Sequence, residues 1–173
     1  MLNTNKPLDK YNFCPNCKED LISELVDGDN RKRCENCGLI FWNNPKPVVS
    51  IVLEKDGKIL MLQRSKEPFK DYWVLPGGFI KYEETAQQAI KRETKEEAGI
   101  EVEISGIIGT YRIDDDLRGI HIDIIFYGKP KGEIKLNEED RSWKYFSPDS
   151  LPENIAYKHR NAIEDYKKTS LKS

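Results

Sequence analysis

The fold of this chain is decided by residues 77–100, which read GGFIKYEETAQQAIKRETKEEAGI. Thr85, followed three residues later by Gln88, can form a capping box that satisfies backbone N–H groups at the start of a helix. Gly99 stands where helices commonly end in a left-handed residue. These signals predict a helix over about Ala86–Ala98 that follows directly on a glycine-rich loop.

The predicted helix carries three glutamates close together. At 100° per residue, Glu93, Glu96 and Glu97 fall within an arc of about 100°, and Ala89 and Ile90 lie on another face that can pack inward. Like charges at these spacings weaken a helix by about a few tenths of a kcal/mol per pair, and a bound cation removes that penalty. Oxygen-only ligands suit a hard divalent cation, Mg²⁺ or Mn²⁺. The alternative is a solvated acidic helix end that pairs with the basic residues Lys91, Arg92 and Lys95.

A longer pattern surrounds these glutamates and resembles the signature of the Nudix hydrolases, which cleave nucleoside diphosphates linked to another group. Gly78, Glu84 and the segment 92–100, RETKEEAGI, stand at the spacing of that signature, with five residues and then seven residues between them. Thr94 departs from the pattern, because the family usually has an aliphatic residue there. We expect Thr94 to face the core side of the helix, so the change affects packing more than chemistry.

The resemblance implies a role for each residue of this motif. The catalytic residues, which with Gly78 would also bind the Mg²⁺ or Mn²⁺ cofactor, are Glu93, Glu96 and Glu97. Glu84, Arg92 and Gly99 would be structural, because an ion pair between Arg92 and Glu84 would fix the loop against the helix. The metal would activate a water molecule that attacks the diphosphate.

The base that orients this water is one of four carboxylates, and the sequence does not choose among them. Two of them, Glu96 and Glu97, belong to the predicted helix. The other two, Asp140 and Glu139, precede a strand that contains Trp143. The resemblance implies a metal ligand or a base in that late segment, with Asp140 as the first candidate and Glu139 as the second.

The residues before the helix are candidates for substrate binding. The paired glycines Gly77 and Gly78 let the backbone approach a metal ion and a diphosphate closely, where a side chain would interfere. Arg64 directly follows a β-rich run and is either a surface charge or a contact to substrate phosphate. Trp73, in the segment that leads to the glycines, is more typical of a core aromatic than of one that stacks on a base.

All four cysteines lie in two Cys-x-x-Cys pairs, Cys14 with Cys17 and Cys34 with Cys37. Four thiolates at this spacing are typical of a tetrahedral Zn²⁺ site. Because no ligand position stays open, this zinc would be structural, and it would hold together a segment with few apolar residues. A pair of disulfides is the alternative, which a reducing compartment disfavours.

The chain is therefore predicted to have two parts. Residues 10–42 should form a zinc ribbon, residues 43–47 a short stiff linker, and residues 46–173 the Nudix hydrolase domain. The resemblance implies an α/β fold for that domain, a Nudix-type α/β/α sandwich with a mixed sheet. Val48–Leu53 is nearly all apolar, as expected of a central strand buried on both faces. An amphipathic closing helix is predicted over Glu153–Lys168.

Two features beyond the motif leave alternatives open. The acidic segment 114–119 lies between two predicted strands, and we favour a solvated turn over a loop that borders the metal and substrate site. His121 and Asp123 alternate along the second of these strands and share one face. We favour a hydrogen-bonded strand histidine for His121, and the alternative is a catalytic or substrate contact.

The composition argues against several functional classes. Thirty acidic and 28 basic residues are interspersed, so no surface for nucleic acid or for a membrane is predicted. No apolar run approaches about 18 residues and the N-terminus is polar, so we expect a cytoplasmic location without a membrane span. The expected partner is a small nucleoside diphosphate linked to another group, and a homodimer is compatible with the sequence.

The substrate is left open between several compounds. A ribbon before a Nudix domain resembles the NADH pyrophosphatase branch of the family. That branch carries a Ser-Gln-Pro-Trp-Pro-Phe type segment after the motif, whereas residues 109–116 here read GTYRIDDD. Our first expectation is therefore ADP-ribose or a related nucleotide sugar. The alternatives are NADH or NAD⁺, capped RNA, and a non-catalytic Nudix module that senses nucleotides.

Overall fold

The computed structural model describes residues 11–137 and 140–170, so the first residue of the predicted ribbon, Lys10, and the candidate base Glu139 lie outside the described residues. The chain divides into two compact units, one that ends at Pro45 and one that begins at Lys46. The first unit contains the strands β1 (Leu21–Val26), β2 (Asp29–Cys34) and β3 (Ile40–Phe41). They form an antiparallel sheet in the order β1-β2-β3.

The second unit is a mixed sheet with two helices among its described residues. Its elements are β4 (Lys46–Lys55), β5 (Lys58–Arg64), β6 (Trp73–Val74), β7 (Gly77–Phe79), α1 (Ala86–Ala98), β8 (Glu101–Ile113), β9 (His121–Lys131), β10 (Asp140–Phe146) and α2 (His159–Ser170). The strand order is β10-β5-β4-β9-β8, with β6 paired to β5 and β7 paired to β4. Only the β4–β9 pair is parallel among these described strands.

Strand β4 is the centre of this sheet, and its core segment Val48–Leu53 is buried throughout. This confirms the predicted central strand. Alternate residues of a strand point to opposite faces. Ile51 accordingly packs in one apolar cluster with Ile90 of α1, and Val52 packs in another with Ile163 of α2. The resulting architecture is an α/β/α sandwich, as the sequence predicts.

Helix α1 has the predicted limits because its end signals are local. The Gln88 N–H donates to the Thr85 hydroxyl, and the Gln88 side chain accepts from the Thr85 N–H, which completes the capping box. Gly99 ends the helix at a φ of 69°. Thr94 faces the core as predicted, and its buried hydroxyl donates to the Ile90 carbonyl at 2.9 Å. This bond satisfies the buried hydroxyl group of Thr94, which an aliphatic residue at this position would lack.

Helix α2 begins at His159, so the prediction that it begins at Glu153 is wrong. The preceding residues pair instead with β6. The Trp73 N–H donates to the Asn154 carbonyl at 2.8 Å, and the Ala156 N–H donates to the Trp73 carbonyl at 3.0 Å. This pairing uses backbone groups that a helix would need, so the helix starts only after it. Across residues 11–137 and 140–170, neither helix has the length and apolar character needed to cross a bilayer.

The capping box of α1 should contribute measurably to stability. Thr85→Ala removes the hydroxyl that accepts from the Gln88 N–H, and we expect it to lower the free energy of unfolding by about 1 kcal/mol. Urea denaturation followed by tryptophan fluorescence measures this change. Thr85→Ser keeps the accepting oxygen and should remain within about 0.5 kcal/mol of the wild type. Equal losses in both variants would contradict a capping role for the hydroxyl.

Candidate active site

A cavity of about 390 Å³ is lined by residues of β4, β7, α1, β9 and α2. It brings together seven residues that the sequence analysis assigned to the site or the motif, namely Arg64, Gly77, Gly78, Arg92, Glu93, Glu96 and Glu97. We call Glu93, Glu96 and Glu97 the acidic wall. Four further lining residues, Ser50, His121, Asp123 and His159, form what we call the buried polar wall.

The two glycines allow the backbone to lie directly against the glutamates of α1. The Gly77 N–H donates to Glu97 Oε2 at 2.9 Å. A Cβ atom added to Gly78 would lie 2.5 Å from the carboxyl group of Glu93, and one added to Gly77 would lie 2.1 Å from the Val49 carbonyl oxygen. Glycine is therefore required at both positions for steric reasons.

Arg92 connects the loop, β7 and α1. Its Nε and Nη2 donate to the two carboxylate oxygens of Glu84 at 2.5 and 2.9 Å, so the predicted pair is present. Nη2 also donates to the Phe79 carbonyl at 3.0 Å. The hydrogen bonds from Arg92 lower the pKa of Glu84 to about 2. Glu84 is thus a carboxylate at every pH near neutrality.

The acidic wall is held by different partners. Arg92 Nη1 donates to Glu93 at 2.7 Å and to Glu96 at 2.9 Å, while Glu97 accepts from Gly77. Burial raises the pKa of Glu93, and Arg92 opposes that shift. All three carboxylates line the cavity. Glu93 and Glu96 thus share one cationic donor, and Glu97 is held by a backbone N–H.

The four cysteine sulfurs of the first unit all lie within 4.8 Å of one another. Sγ of Cys14 is 3.5 Å from that of Cys37, and Sγ of Cys17 is 3.4 Å from that of Cys34. Four thiolates around a tetrahedral Zn²⁺ stand about 3.8 Å apart, given a Zn–S distance of about 2.3 Å. Hydrogen bonds from the Leu39 N–H and from Asn16 lower the pKa of Cys37 to about 6. The cluster is therefore compatible with a small zinc ribbon.

The late segment is only partly associated with the cavity. Asp140 is the first residue of β10 and lies opposite Arg64 in the pairing with β5. Of the two, Arg64 lines the cavity, whereas Asp140 is not among the described residues that line it. Arg64 Nε donates to the Pro68 carbonyl at 2.8 Å, which fixes the orientation of its guanidinium. Asn137, which sequence reasoning missed, also lines the cavity.

Sequence reasoning also missed two residues of the buried polar wall, Ser50 and His159. The Ser50 hydroxyl donates to Asp123 Oδ2 at 2.9 Å, and His159 Nε2 lies 3.2 Å from the Ser50 oxygen and 3.3 Å from Asp123 Oδ2. A signal was present, because Ser50 interrupts an apolar strand and His159 stands at helical spacing from the apolar residues Ala162 and Ile163. Polar residues inside apolar patterns indicate buried polar contacts.

The hydrogen bond from Leu75 to His159 excludes a serine nucleophile of the Ser-His-Asp type. The Leu75 N–H donates to His159 Nδ1 at 2.9 Å, so Nδ1 carries no proton and Nε2 must carry it. Nε2 therefore donates towards Ser50 and Asp123 and cannot accept the proton of the Ser50 hydroxyl. The three side chains act instead as a fixed hydrogen-bonded cluster.

His121 differs from the sequence-based expectation of a hydrogen-bonded strand histidine. It is only 1% exposed, yet neither ring nitrogen has a hydrogen-bond partner among the described residues. Its Nε2 lies 3.5 Å from Asp116 Oδ2, and its ring meets the edge of Phe79. Burial lowers the pKa of His121, and Asp116 opposes that shift. His121 is therefore a neutral side chain that faces the cavity.

The acidic segment 114–119 combines both interpretations that the sequence left open. Asp114 and Asp115 are exposed, as in a solvated turn. Asp116 is buried, accepts hydrogen bonds from Arg118, and lines the cavity together with it. The loop thus borders the candidate site through Asp116 and Arg118.

The Glu84–Arg92 pair predicts a specific pH dependence of stability. The pKa of Glu84 falls from an ordinary value of 4.5 to about 2 in the folded protein. A depressed carboxyl pKa stabilises the fold above pH 4.5, and this contribution is lost as the pH falls towards 2. Glu84→Gln should therefore lower Tm most at neutral pH, and the difference from the wild type should shrink below about pH 4.5.

Thermal unfolding at a series of pH values measures this difference. Glu83→Gln is the matched control, because Glu83 is the exposed neighbour of Glu84. Its Tm should follow that of the wild type at every pH. A gap between Glu84→Gln and the wild type that stayed constant from pH 7 to pH 3 would contradict the ion-pair interpretation.

Comparison with known proteins identifies the family. A model of the NUDIX domain matches residues 44–166. An ADP-ribose pyrophosphatase of Methanocaldococcus jannaschii is 36% identical over 128 residues, which cover 73% of this chain and 75% of that protein. The NAD-capped RNA hydrolase NudC of Pseudomonas aeruginosa is 30% identical over 146 residues, which cover 81% of this chain and 49% of that protein.

The solved structures agree with the sequence match. The crystal structure of a NUDIX hydrolase from Nitrosomonas europaea has a TM-score of 0.81 with this chain at 27% sequence identity, and the match covers 94% of both chains. The domain match extends over most of the second unit, including the glycine loop, α1 and the cavity they border. The chain therefore belongs to the Nudix hydrolase family.

Proposed function

We propose that this Nudix hydrolase cleaves the diphosphate bond of a nucleoside diphosphate linked to another group, with ADP-ribose or a related nucleotide sugar as its substrate. The observation that carries the proposal is one cavity lined both by the acidic wall of α1 and by the glycine pair of β7. The 36% identity to an ADP-ribose pyrophosphatase over 128 residues supports ADP-ribose as the first candidate.

The acidic wall, together with the Gly78 carbonyl, would hold Mg²⁺ or Mn²⁺. Carboxylate and carbonyl oxygens are the ligands that these ions prefer, and Gly78 has no side chain to obstruct the approach to Glu93. A cation would also offset the mutual repulsion of three carboxylates on one helix face. When bound, the metal would polarise the phosphoryl group and would lower the pKa of the water molecule that it binds.

The remaining charged residues of the cavity would orient the diphosphate and the attacking water. Arg64 and Lys81 both line the cavity and would attract phosphate oxygens. Glu96 and Glu97 line it as well, which favours them over Asp140 as the base. Glu97 is already oriented by the Gly77 N–H at 2.9 Å. Glu139, the remaining candidate, lies outside the described residues.

The first unit would be a zinc ribbon with a structural role. We propose that residues 10–42 form this ribbon, that 43–47 link it, and that residues 46–173 form the hydrolase domain. Cys14, Cys17, Cys34 and Cys37 would occupy all four positions of a tetrahedral Zn²⁺, so no position remains for substrate.

A second candidate substrate class contains NADH, NAD⁺ and NAD-capped RNA. The match to the NAD-capped RNA hydrolase NudC over 81% of this chain favours it. The sequence of residues 109–116, GTYRIDDD, argues against it, because the segment typical of the NADH pyrophosphatase branch is replaced there.

The first test is a substrate panel with Mg²⁺ or Mn²⁺. The protein should release AMP from ADP-ribose faster than it cleaves NADH, NAD⁺, diadenosine polyphosphates or oxidised nucleoside triphosphates, as measured by chromatography of the products. Glu97→Gln should lower the rate about 100-fold or more, because it removes a charged group at the reacting centre. Glu83→Gln changes an exposed glutamate that does not line the cavity and should leave the rate unchanged.

Other outcomes would select other functions. Preference for NADH or for NAD-capped RNA would favour the second candidate, and RNA affinity that falls steeply with salt would indicate a phosphate-binding surface. ADP-ribose binding without turnover, unchanged in Glu97→Gln, would indicate a nucleotide-sensing module. Turnover that persisted after chelation and was not increased by added Mg²⁺ would refute the metal-dependent mechanism.

The zinc proposal has a separate test. The purified protein should contain about one zinc per chain by elemental analysis, and Cys17→Ser should lose most of it because three ligands bind far less tightly. Ser23→Ala, an exposed substitution on β1, should retain the zinc. Absence of zinc together with two disulfides, detected by mass spectrometry after alkylation, would support the alternative instead.

A further inference from the structure

The buried polar wall contains two side chains whose polar atoms lack partners. His121 and Asp123 are each 1% exposed, and both line the cavity. Both ring nitrogens of His121 and the Oδ1 atom of Asp123 have no hydrogen-bond partner within the described part of the chain. Buried polar atoms are almost always paired in folded proteins, so unpaired ones on a cavity surface are available to a ligand or to water.

The other oxygen of Asp123 is firmly held. Its Oδ2 accepts from the Ser50 hydroxyl at 2.9 Å and lies 3.3 Å from His159 Nε2. His159 is itself fixed by the Leu75 N–H at 2.9 Å. The carboxylate is therefore oriented by side chains from β4 and α2, and Oδ1 is left as an acceptor with a defined position.

His121 offers a second acceptor beside it. Its Nε2 faces Asp116 Oδ2 at 3.5 Å, which favours the tautomer with the proton on Nε2 and a lone pair on Nδ1. Residues two apart on a strand share one face, at a separation of about 6.6 Å between their Cα atoms. Two acceptors on one face of a strand suit a ligand group that carries two hydrogen-bond donors.

We propose that His121 and Asp123 form a subsite for a neutral, donor-bearing part of the substrate, either the vicinal hydroxyls of a ribose or the exocyclic amine of the base. This inference rests on the proposed function, because it names what the non-phosphate end of a nucleoside diphosphate would contact. Ser50 and His159 are positioning residues, because they act through Asp123.

The charges of the cavity support this orientation of the substrate. A phosphate near Asp123 would be repelled by the carboxylates of Asp123 and Asp116. Arg118 does not offset this, because it already pairs with Asp116 at 2.7 Å and stacks over the Phe79 ring at 5.1 Å. The diphosphate belongs instead beside the metal ligands of the acidic wall, which leaves the buried polar wall for the uncharged part.

The experiment compares the wild type with Asp123→Asn and His121→Phe on ADP-ribose and three analogues. The analogues carry inosine in place of adenosine, 2′-deoxyadenosine in place of adenosine, or 2-deoxyribose as the terminal sugar. Each substitution should raise KM for ADP-ribose about tenfold or more and change kcat less than about threefold. On the analogue that lacks the recognised donor, the same substitutions should change KM less than about twofold, because the contact is already absent.

Controls separate a lost contact from a damaged fold. Asp149→Asn, a matched change at an exposed carboxylate, should behave as the wild type. Thermal unfolding reports whether each variant folds, and His121→Gln serves as a second variant if Asp123→Asn does not. An unchanged KM in the folded variants, or an equal rise on all four compounds, would overturn the proposal. Tighter binding by Asp123→Asn would also overturn it, because that result would indicate a phosphate beside the carboxylate.

Calorimetric titration with ADP-ribose, with Ca²⁺ replacing Mg²⁺, separates the subsite from the reaction. Weaker binding by Asp123→Asn, in a protein that hydrolyses none of the compounds, would retain the subsite and refute the proposed reaction. Normal hydrolysis with an unchanged Kd in the variants would refute the subsite and retain the reaction. No binding of ADP-ribose by the wild type would overturn both.

Discussion

The geometry of the candidate site depends on the guanidinium of Arg92. This one side chain binds both oxygens of Glu84 in the loop, the Phe79 carbonyl at the end of β7, and the carboxylates of Glu93 and Glu96 on α1. A guanidinium is planar and directs its donors along fixed lines, so the partners can satisfy it in one arrangement only. A flexible lysine with a point charge would not impose this order. A single residue of the helix therefore fixes the relative positions of the loop, β7 and α1.

Strand β4 connects this assembly with the buried polar wall. The Cα atoms of Ser50 and Gly77 are partners in the pairing of β4 with β7, and the Ser50 hydroxyl binds Asp123 on β9. One residue in the centre of the sheet thus pairs through its backbone with the glycine loop and contributes its side chain to the buried polar wall. The cavity is consequently polarised, with the carboxylates of the acidic wall on α1 and the hydrogen-bonding groups of the buried polar wall on β4, β9 and α2.

Local signals were sufficient to predict one part of this site from the sequence, and distant contacts account for the part that was missed. The limits of α1 follow from a capping box and a terminal glycine, and both act within a few residues. The Ser50 hydroxyl, by contrast, binds Asp123 and His159 at 73 and 109 residues away in the chain, a separation that no periodicity reveals. The prediction for the start of α2 was wrong for the same reason, because a distant residue decides it. The backbone of Trp73 forms a strand-like bridge with Ile155, so the residues around Ile155 do not join the helix.

The contact between His159 and Leu75 has a consequence for the order in which the enzyme becomes competent during synthesis. His159 is the last residue in chain order among the described residues that line the cavity. Domains emerge from the ribosome from their N-terminal end, so the entire Nudix motif is available before α2 exists. Until that helix docks, water can reach Ser50 and Asp123 freely. A nascent chain at that stage would possess every carboxylate of the acidic wall and still lack the helix that completes the cavity.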